Sequence, residues 1–165
     1  MSRLLVALLL LSADCHAANP WDLCKAEEKL VFGCSLEKKV AAICASSSLS
    51  PRDGYAQYRF GTPGRIELAY PTPLVHPDGH FFFSHADYSG GDNSRMRFKI
   101  GTNEYTLFHS TTRTGFGADG LNNPQEAAGI FTTAKGKARK PRKCLNFVGF
   151  SEVHVHFQRE EWGAP

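Results

Sequence analysis

The sequence predicts an all-β domain, an antiparallel sandwich or barrel of roughly nine to ten short strands stapled by disulfides. Three observations carry that expectation. Short apolar runs, several alternating with period two, follow one another at close intervals. Turn residues punctuate them, with 15 Gly and 9 Pro in 165 residues. Long Leu- and Ala-rich helical patterns are missing once the first residues are passed.

Those first residues carry a different signal. Arg3 precedes the apolar run Leu4 to Leu11, and Cys15-His16-Ala17 ends the segment on a small residue. That order predicts a cleavable secretory signal over residues 1–17, leaving a single β-rich domain over 18–165. The run is too short to span a bilayer, which needs about 20 apolar residues, so no transmembrane span is expected. Asp14 stands where a lipoprotein signal wants a small residue, so lipid attachment ranks second. Cleavage removes Cys15 and leaves Cys24, Cys34, Cys44 and Cys144. An even count in an exported chain favours disulfides. Three connectivities are open, and each joins Cys144 to the N-terminal region across a loop of about 100 residues, a stabilisation of roughly 4 to 5 kcal/mol in the chain-entropy model.

The elements follow in order. Trp21 to Glu28 suggests a short helix. Leu30 to Cys34 and Lys39 to Cys44 form a hairpin about Ser35 to Lys38. Tyr55 to Phe60 and Ile66 to Tyr70 flank Gly61-Thr62-Pro63-Gly64, strong turn chemistry. Pro71 to Gly79 reads as a loop. His80 to His85, with three consecutive Phe, reads as a strand partly buried on both faces. In Arg95 to Ile100, Met96, Phe98 and Ile100 alternate with Arg95, Arg97 and Lys99, which places three cations on one exposed face. Glu104 to His109 alternates likewise. Thr111 to Gln125 is a long loop, and Gly129 to Thr133 and Leu145 to Phe150 are further strands. Glu152 to Gln158 is expected to close the domain with Val153, Val155 and Phe157 inward and His154 and His156 outward.

Several of these strands carry a resemblance. Phe32-Gly33-Cys34 through Lys38-Lys39 to Ile43-Cys44, then Tyr58-Arg59-Phe60-Gly61 and Glu67-Leu68-x-Tyr70-Pro71, resemble a group of uncharacterised exported bacterial proteins. Phe83-Ser84-His85-x-x-Tyr88, Phe98 and Tyr105-Thr106 extend it over most of the mature chain. These are strand and turn residues, so the resemblance implies location and fold rather than activity. In size, export, cysteines and β content the chain is also remotely similar to periplasmic lysozyme inhibitors, with no inhibitory motif matched.

For chemistry, the distinctive feature is the basic segment Lys135, Lys137, Arg139, Lys140, Arg142 and Lys143, six cations in nine residues ahead of Cys144. Its plain reading is a solvated loop; its functional reading is an anion-binding patch, joined by Arg95, Arg97 and Lys99. A net charge of +3 does not by itself imply nucleic acid, and export argues against it. His154-x-His156 on one side of a strand suits a divalent metal but lacks the third ligand a catalytic site needs. His76, His80 and His85 surround a Pro-Asp-Gly turn. There is no Gly-x-Ser-x-Gly elbow, bridged cysteines supply no thiolate, and neither a Ser-His-Asp set nor a carboxylate pair among Glu67, Asp87, Asp92 and Glu104 is fixed by spacing. No catalytic residue and no cofactor is assigned. Tyr55, Tyr58, Phe81 to Phe83 and Phe98 read as core.

The expected function is therefore that of a non-catalytic periplasmic or secreted binding module, recognising an anionic envelope polymer or a partner protein. A small envelope hydrolase, assisted by metal through the histidines, is the alternative from another class, and a lysozyme-inhibitor-like protein a third. The basic segment weighs against the last at that surface, because lysozymes are commonly cationic.

Overall fold

Residues 23–118 and 120–163 are described by the computed structural model. The expected secretory signal, residues 1–17, and Trp21 lie outside these residues. The strands are β1 (Glu28–Ser35), β2 (Val40–Ser46), β3 (Ala56–Thr62), β4 (Arg65–Val75), β5 (Phe82–Tyr88), β6 (Gly91–Ile100), β7 (Asn103–Thr112), β8 (Gln125–Ala134), β9 (Lys137–Ala138), β10 (Arg142–Lys143), β11 (Asn146–Val148) and β12 (Gln158–Arg159). They form an open sandwich rather than a barrel. One sheet runs β11-β1-β2-β3-β4, and the other β10-β8-β7-β6-β5-β12 with β9 beside β8.

Period-two alternation decides which face each strand buries. In β6 it sends Met96 and Phe98 into the core, where both are fully buried. Arg95, Arg97 and Lys99 take the opposite face. From the facing sheet Val31, Phe32, Ala41, Ile43 and Tyr58 meet Phe81, Phe83, Phe98, Leu107 and Ile130. β2 is buried along its whole length because its second face is covered as well. There Leu23 lies on Val40, Ala42 and Cys44, and the Cys24–Cys44 disulfide fastens the cover.

A buried ion pair holds the same corner. Arg59 places its guanidinium 2.7 Å from Glu28 Oε1 and donates at 2.7 Å to the Leu23 carbonyl. Both side chains are almost inaccessible. Burial alone would push the Glu28 carboxyl up. Hydrogen bonds donated by Arg59, the Lys25 amide and Tyr55 overcome that and hold it below its ordinary value.

Three expectations need correction. Among the described residues, Leu23 to Glu27 form turns rather than helix, and Glu28 already belongs to β1. β4 runs on through Pro71 and Pro73 to Val75; it is an edge strand, where missing N–H donors cost no ladder bond. Residues Glu152–His156 form a 3-10 turn, not a strand, and only Gln158–Arg159 pairs, in parallel with β5. The reason is topological. The Ser151 amide donates to Val31 in one sheet, while the Glu160 amide donates to Phe83 in the other. The segment crosses between sheets and has no strand to lie against, so it winds on itself through His154-to-Ser151 and Phe157-to-His154 bonds. Val155 consequently faces solvent instead of the core.

The second disulfide, Cys34–Cys144, spans 110 residues against 20 for Cys24–Cys44. Loop-closure entropy ranks them at about 4.8 and 3.3 kcal/mol. Chemical denaturation is expected to show the larger loss for Cys34→Ala/Cys144→Ala; equal losses would rule out chain entropy as the source. A second expectation concerns acid. A lowered Glu28 carboxyl stabilises the fold above its ordinary 4.5 and ceases to as pH falls through the lowered value. Glu28→Gln should therefore cost up to about 3 to 5 kcal/mol near neutrality, and the gap to the parent should close progressively below that pH. A pH-independent gap would contradict the assignment.

Candidate functional site

The basic segment is not a free loop. β8 ends at Ala134 and the chain turns at Lys135 and Gly136, both in the left-handed region (φ 50° and 72°). Two such residues in succession match a tight hairpin turn, and β9 returns along β8 with Ala134 opposite Lys137. The Arg139 amide then bonds the Thr132 carbonyl at 2.9 Å. After Pro141, β10 pairs again with β8, Arg142 opposite Ile130 and Lys143 opposite Gly129. Gly129 is what lets the strand seat. A Cβ there would lie 2.7 Å from the Arg142 carbonyl oxygen and from the Phe108 ring.

Seated in this way, Arg139, Lys140 and Arg142 border a cleft of about 280 Å³ at one end of the sandwich. Its apolar walls come from both sheets: Tyr58, Phe60 and Leu68 on β3 and β4, Tyr105 and Ile130 on β7 and β8. Beneath it runs a stack of rings. Tyr70 and Phe98 lie 5.5 Å apart, and Phe98 and Tyr105 5.3 Å apart with an interplanar angle of 5°. Tyr58 joins at 4.7 Å from Phe98. Arg142 stands with its guanidinium carbon 5.7 Å from the centre of the Phe60 ring, a cation–π contact at the entrance.

Tyr58 is only 2 % exposed. Burial, reinforced by Tyr105 and opposed by Arg142, keeps its phenol neutral well above the ordinary tyrosine range. Among the described residues its hydroxyl has no hydrogen-bond partner, and the residue lines the cleft. The arrangement is thus an apolar pocket with the neutral hydroxyl of a buried tyrosine lining it and three cations at the mouth. In shape and charge that combination is suited to a ligand with an apolar or ring-shaped body and a negative charge. Family models, curated proteins and solved structures were all compared with the chain. None matches it.

The other cations are distributed elsewhere. Lys135 and Lys137 sit at the exposed hairpin tip, and Lys143 borders a separate groove with Leu36 and Lys39. The β6 trio is not brought to the cleft. Arg97 is held by Glu160 and, at 2.8 Å, by Glu104; the Glu160 hydrogen bond, with Glu104 behind it, keeps Arg97 protonated beyond its usual range despite partial burial. Arg95 stacks over the Trp162 ring at 4.0 Å. Lys99 stands 3.7 Å from Glu104. The Glu160 and Trp162 contacts fasten the C-terminal segment to the outer face of the sheet, while the Glu104 contacts tie β6 to β7.

The histidines regroup as well. On a 3-10 turn of about three residues per turn, positions two apart do not share a face, so His154 and His156 are not the side-by-side pair expected of a strand. The His154 Nδ1–H donates to the Ser151 carbonyl at 2.6 Å, and its ring lies 4.3 Å from Phe83. His76 bonds the Ser50 carbonyl and His80 the Tyr70 hydroxyl. Among the described residues, no clustering of three donor side chains includes His154 or His156; the one that forms, Cys24, Glu28 and Cys44, has its thiols locked in a disulfide and its carboxylate on Arg59. Instead, His154 meets His85 and His109 around a second cavity at the opposite end of the sandwich. No spacing in the sequence marks that meeting, because it depends on cross-strand register.

Proposed function

We propose that the chain is a periplasmic or secreted binding module that captures an anionic saccharide unit of an envelope polymer in the cleft at Tyr58. One observation supports this above the others. Half of the basic segment, Arg139, Lys140 and Arg142, stays exposed to solvent yet borders an aromatic-walled recess. Cations used only for solubility need no such pocket. Planar guanidinium forks suit carboxylate and phosphate oxygens, ring faces suit the apolar faces of a sugar, and the Tyr58 hydroxyl offers one polar contact.

Size narrows the reading. The cleft lies just below the range of about 300 to 1,000 Å³ that holds whole small-molecule ligands, so it suits one ring-sized unit or chain end. It is also concave, whereas a protein partner would need a surface on the order of 1,000 Å² of complementary contact. The two disulfides fit a chain that folds in an oxidising compartment outside the cytoplasm, where carboxylated and phosphorylated polymers are the abundant anions.

Binding to immobilised polygalacturonate tests the proposal, with poly(glycerol phosphate), an anionic polymer that has no sugar ring, immobilised separately as the comparison expected to bind more weakly. Retention is expected at about 0.05 M salt and strong weakening at about 0.5 M, as the screening length shortens. The triple variant Arg139→Gln/Lys140→Gln/Arg142→Gln should lose at least about tenfold in affinity, roughly 1.4 kcal/mol. The matched variant Lys135→Gln/Lys137→Gln/Lys143→Gln removes the same charge outside the cleft and should lose much less. Equal losses would show that bulk charge rather than the cleft binds the polymer, and no retention of polygalacturonate would overturn the proposal.

A further inference from the structure

The second cavity holds chemistry that the cleft does not. Antiparallel pairing of β5 with β6 sets His85 directly opposite Ser94. The Ser94 hydroxyl lies 2.8 Å from His85 Nδ1, and Asp87, two residues along the same face of β5, places Oδ1 3.1 Å from His85 Nε2. Serine, imidazole and carboxylate are thereby joined in one hydrogen-bonded line. Ser94 is buried against the sheet yet lines a cavity of about 230 Å³ with Phe83, His109, Phe150, His154 and Arg159.

From this geometry we infer that Ser94, His85 and Asp87 form a nucleophilic site that hydrolyses short-chain carboxylic esters. The roles follow from the contacts. His85 Nδ1 accepts the Ser94 proton while its Nε2–H donates to Asp87, the neutral tautomer that an acceptor-only carboxylate at Nε2 selects. Ser94 Oγ bonds to the acyl carbon as the carbon–alkoxy bond breaks, and His85 passes the proton to the departing alcohol. Water then adds to the acyl carbon, His85 takes its proton, the Oγ–acyl bond breaks and the proton returns to Ser94. The sum is ester plus water giving carboxylic acid plus alcohol, with nothing oxidised or reduced. Arg159, stacked over Phe83 at 5.3 Å, supplies the positive charge that draws the carbonyl oxygen as it becomes an oxyanion. The volume exceeds the roughly 150 Å³ that holds a benzene ring, so it admits short acyl groups up to about ring size, with Phe83 and Phe150 as apolar walls.

Asp87 differs from the carboxylate of a buried triad. Its side chain is 83 % exposed, so water screens its hold on the imidazolium. Asp87→Asn is accordingly the mild variant and Ser94→Ala and His85→Gln the severe ones. The site stands apart from the cationic cleft. Along β7, Tyr105 faces the cleft and His109 the cavity, four residues or about 13 Å apart, so neither proposal depends on the other.

Incubating the native protein with a fluorophosphonate probe and mapping the adduct by mass spectrometry tests the inference, together with p-nitrophenyl acetate turnover. A single adduct on Ser94 is expected. Turnover should fall at least about 100-fold in Ser94→Ala and in His85→Gln, but only about tenfold in Asp87→Asn, each variant checked for its native circular dichroism. Because Ser94→Ala removes a single oxygen, it keeps the packing that a larger change would disturb. No adduct on Ser94 in the folded protein, or turnover unchanged in Ser94→Ala, would overturn the inference.

Discussion

The fold depends most on the place where the chain changes sheets. β10 pairs with β8 at Lys143, and β11 pairs with β1 from Asn146 onward. Between them stands Cys144, bridged to Cys34 on β1. That single covalent contact fixes the edge of one sheet to a strand of the other. It also restrains a run of like charges that would otherwise repel and spread. With Cys144 anchored on one side and the β8–β9 hairpin on the other, Arg139 to Arg142 are held along the edge of β8, at the border of the cleft between the sheets. The cleft is a consequence of that restraint, and Gly129 provides the clearance for it.

The same reasoning explains how much of the fold could be read from sequence. Where a strand has neighbours on both sides and one buried face, as in β6, alternation reports the structure faithfully, and Met96 and Phe98 lie where period two puts them. Val153 to His156 alternates just as clearly and is not a strand. Its ends belong to different sheets, and alternation carries no information about whether a partner strand exists. The basic segment fails in the other direction. Its composition suggests a solvated loop, but the free edge of β8 offers hydrogen-bond partners, and two short strands form there. The even cysteine count pointed to disulfides, while their pairing required the sheet order.

The sites divide along similar lines. The cations of the cleft were visible as a cluster, because charge density is a local property of sequence. Their aromatic partners were not. Tyr58, Phe60 and Tyr105 come from strands up to 47 positions apart (105 minus 58), and as single residues they look like core, which Tyr58 also is. The β6 cations illustrate the opposite error, since a charged face says nothing about which carboxylates fold over it. Glu160 arrives from the C-terminal segment and occupies Arg97. His85 and Ser94 were individually unremarkable until antiparallel register set them opposite each other.

Nuclear magnetic resonance titration with a short acidic oligosaccharide addresses the central claim most directly, because it locates the ligand without altering the protein. Shift changes are predicted at the Tyr58 and Tyr105 rings, the Arg139 and Arg142 guanidinium groups and the Ile130 methyls. Changes limited to Lys135, Lys137 and Lys99, with the aromatic resonances unmoved, would contradict it by showing that anions meet only the exposed charges.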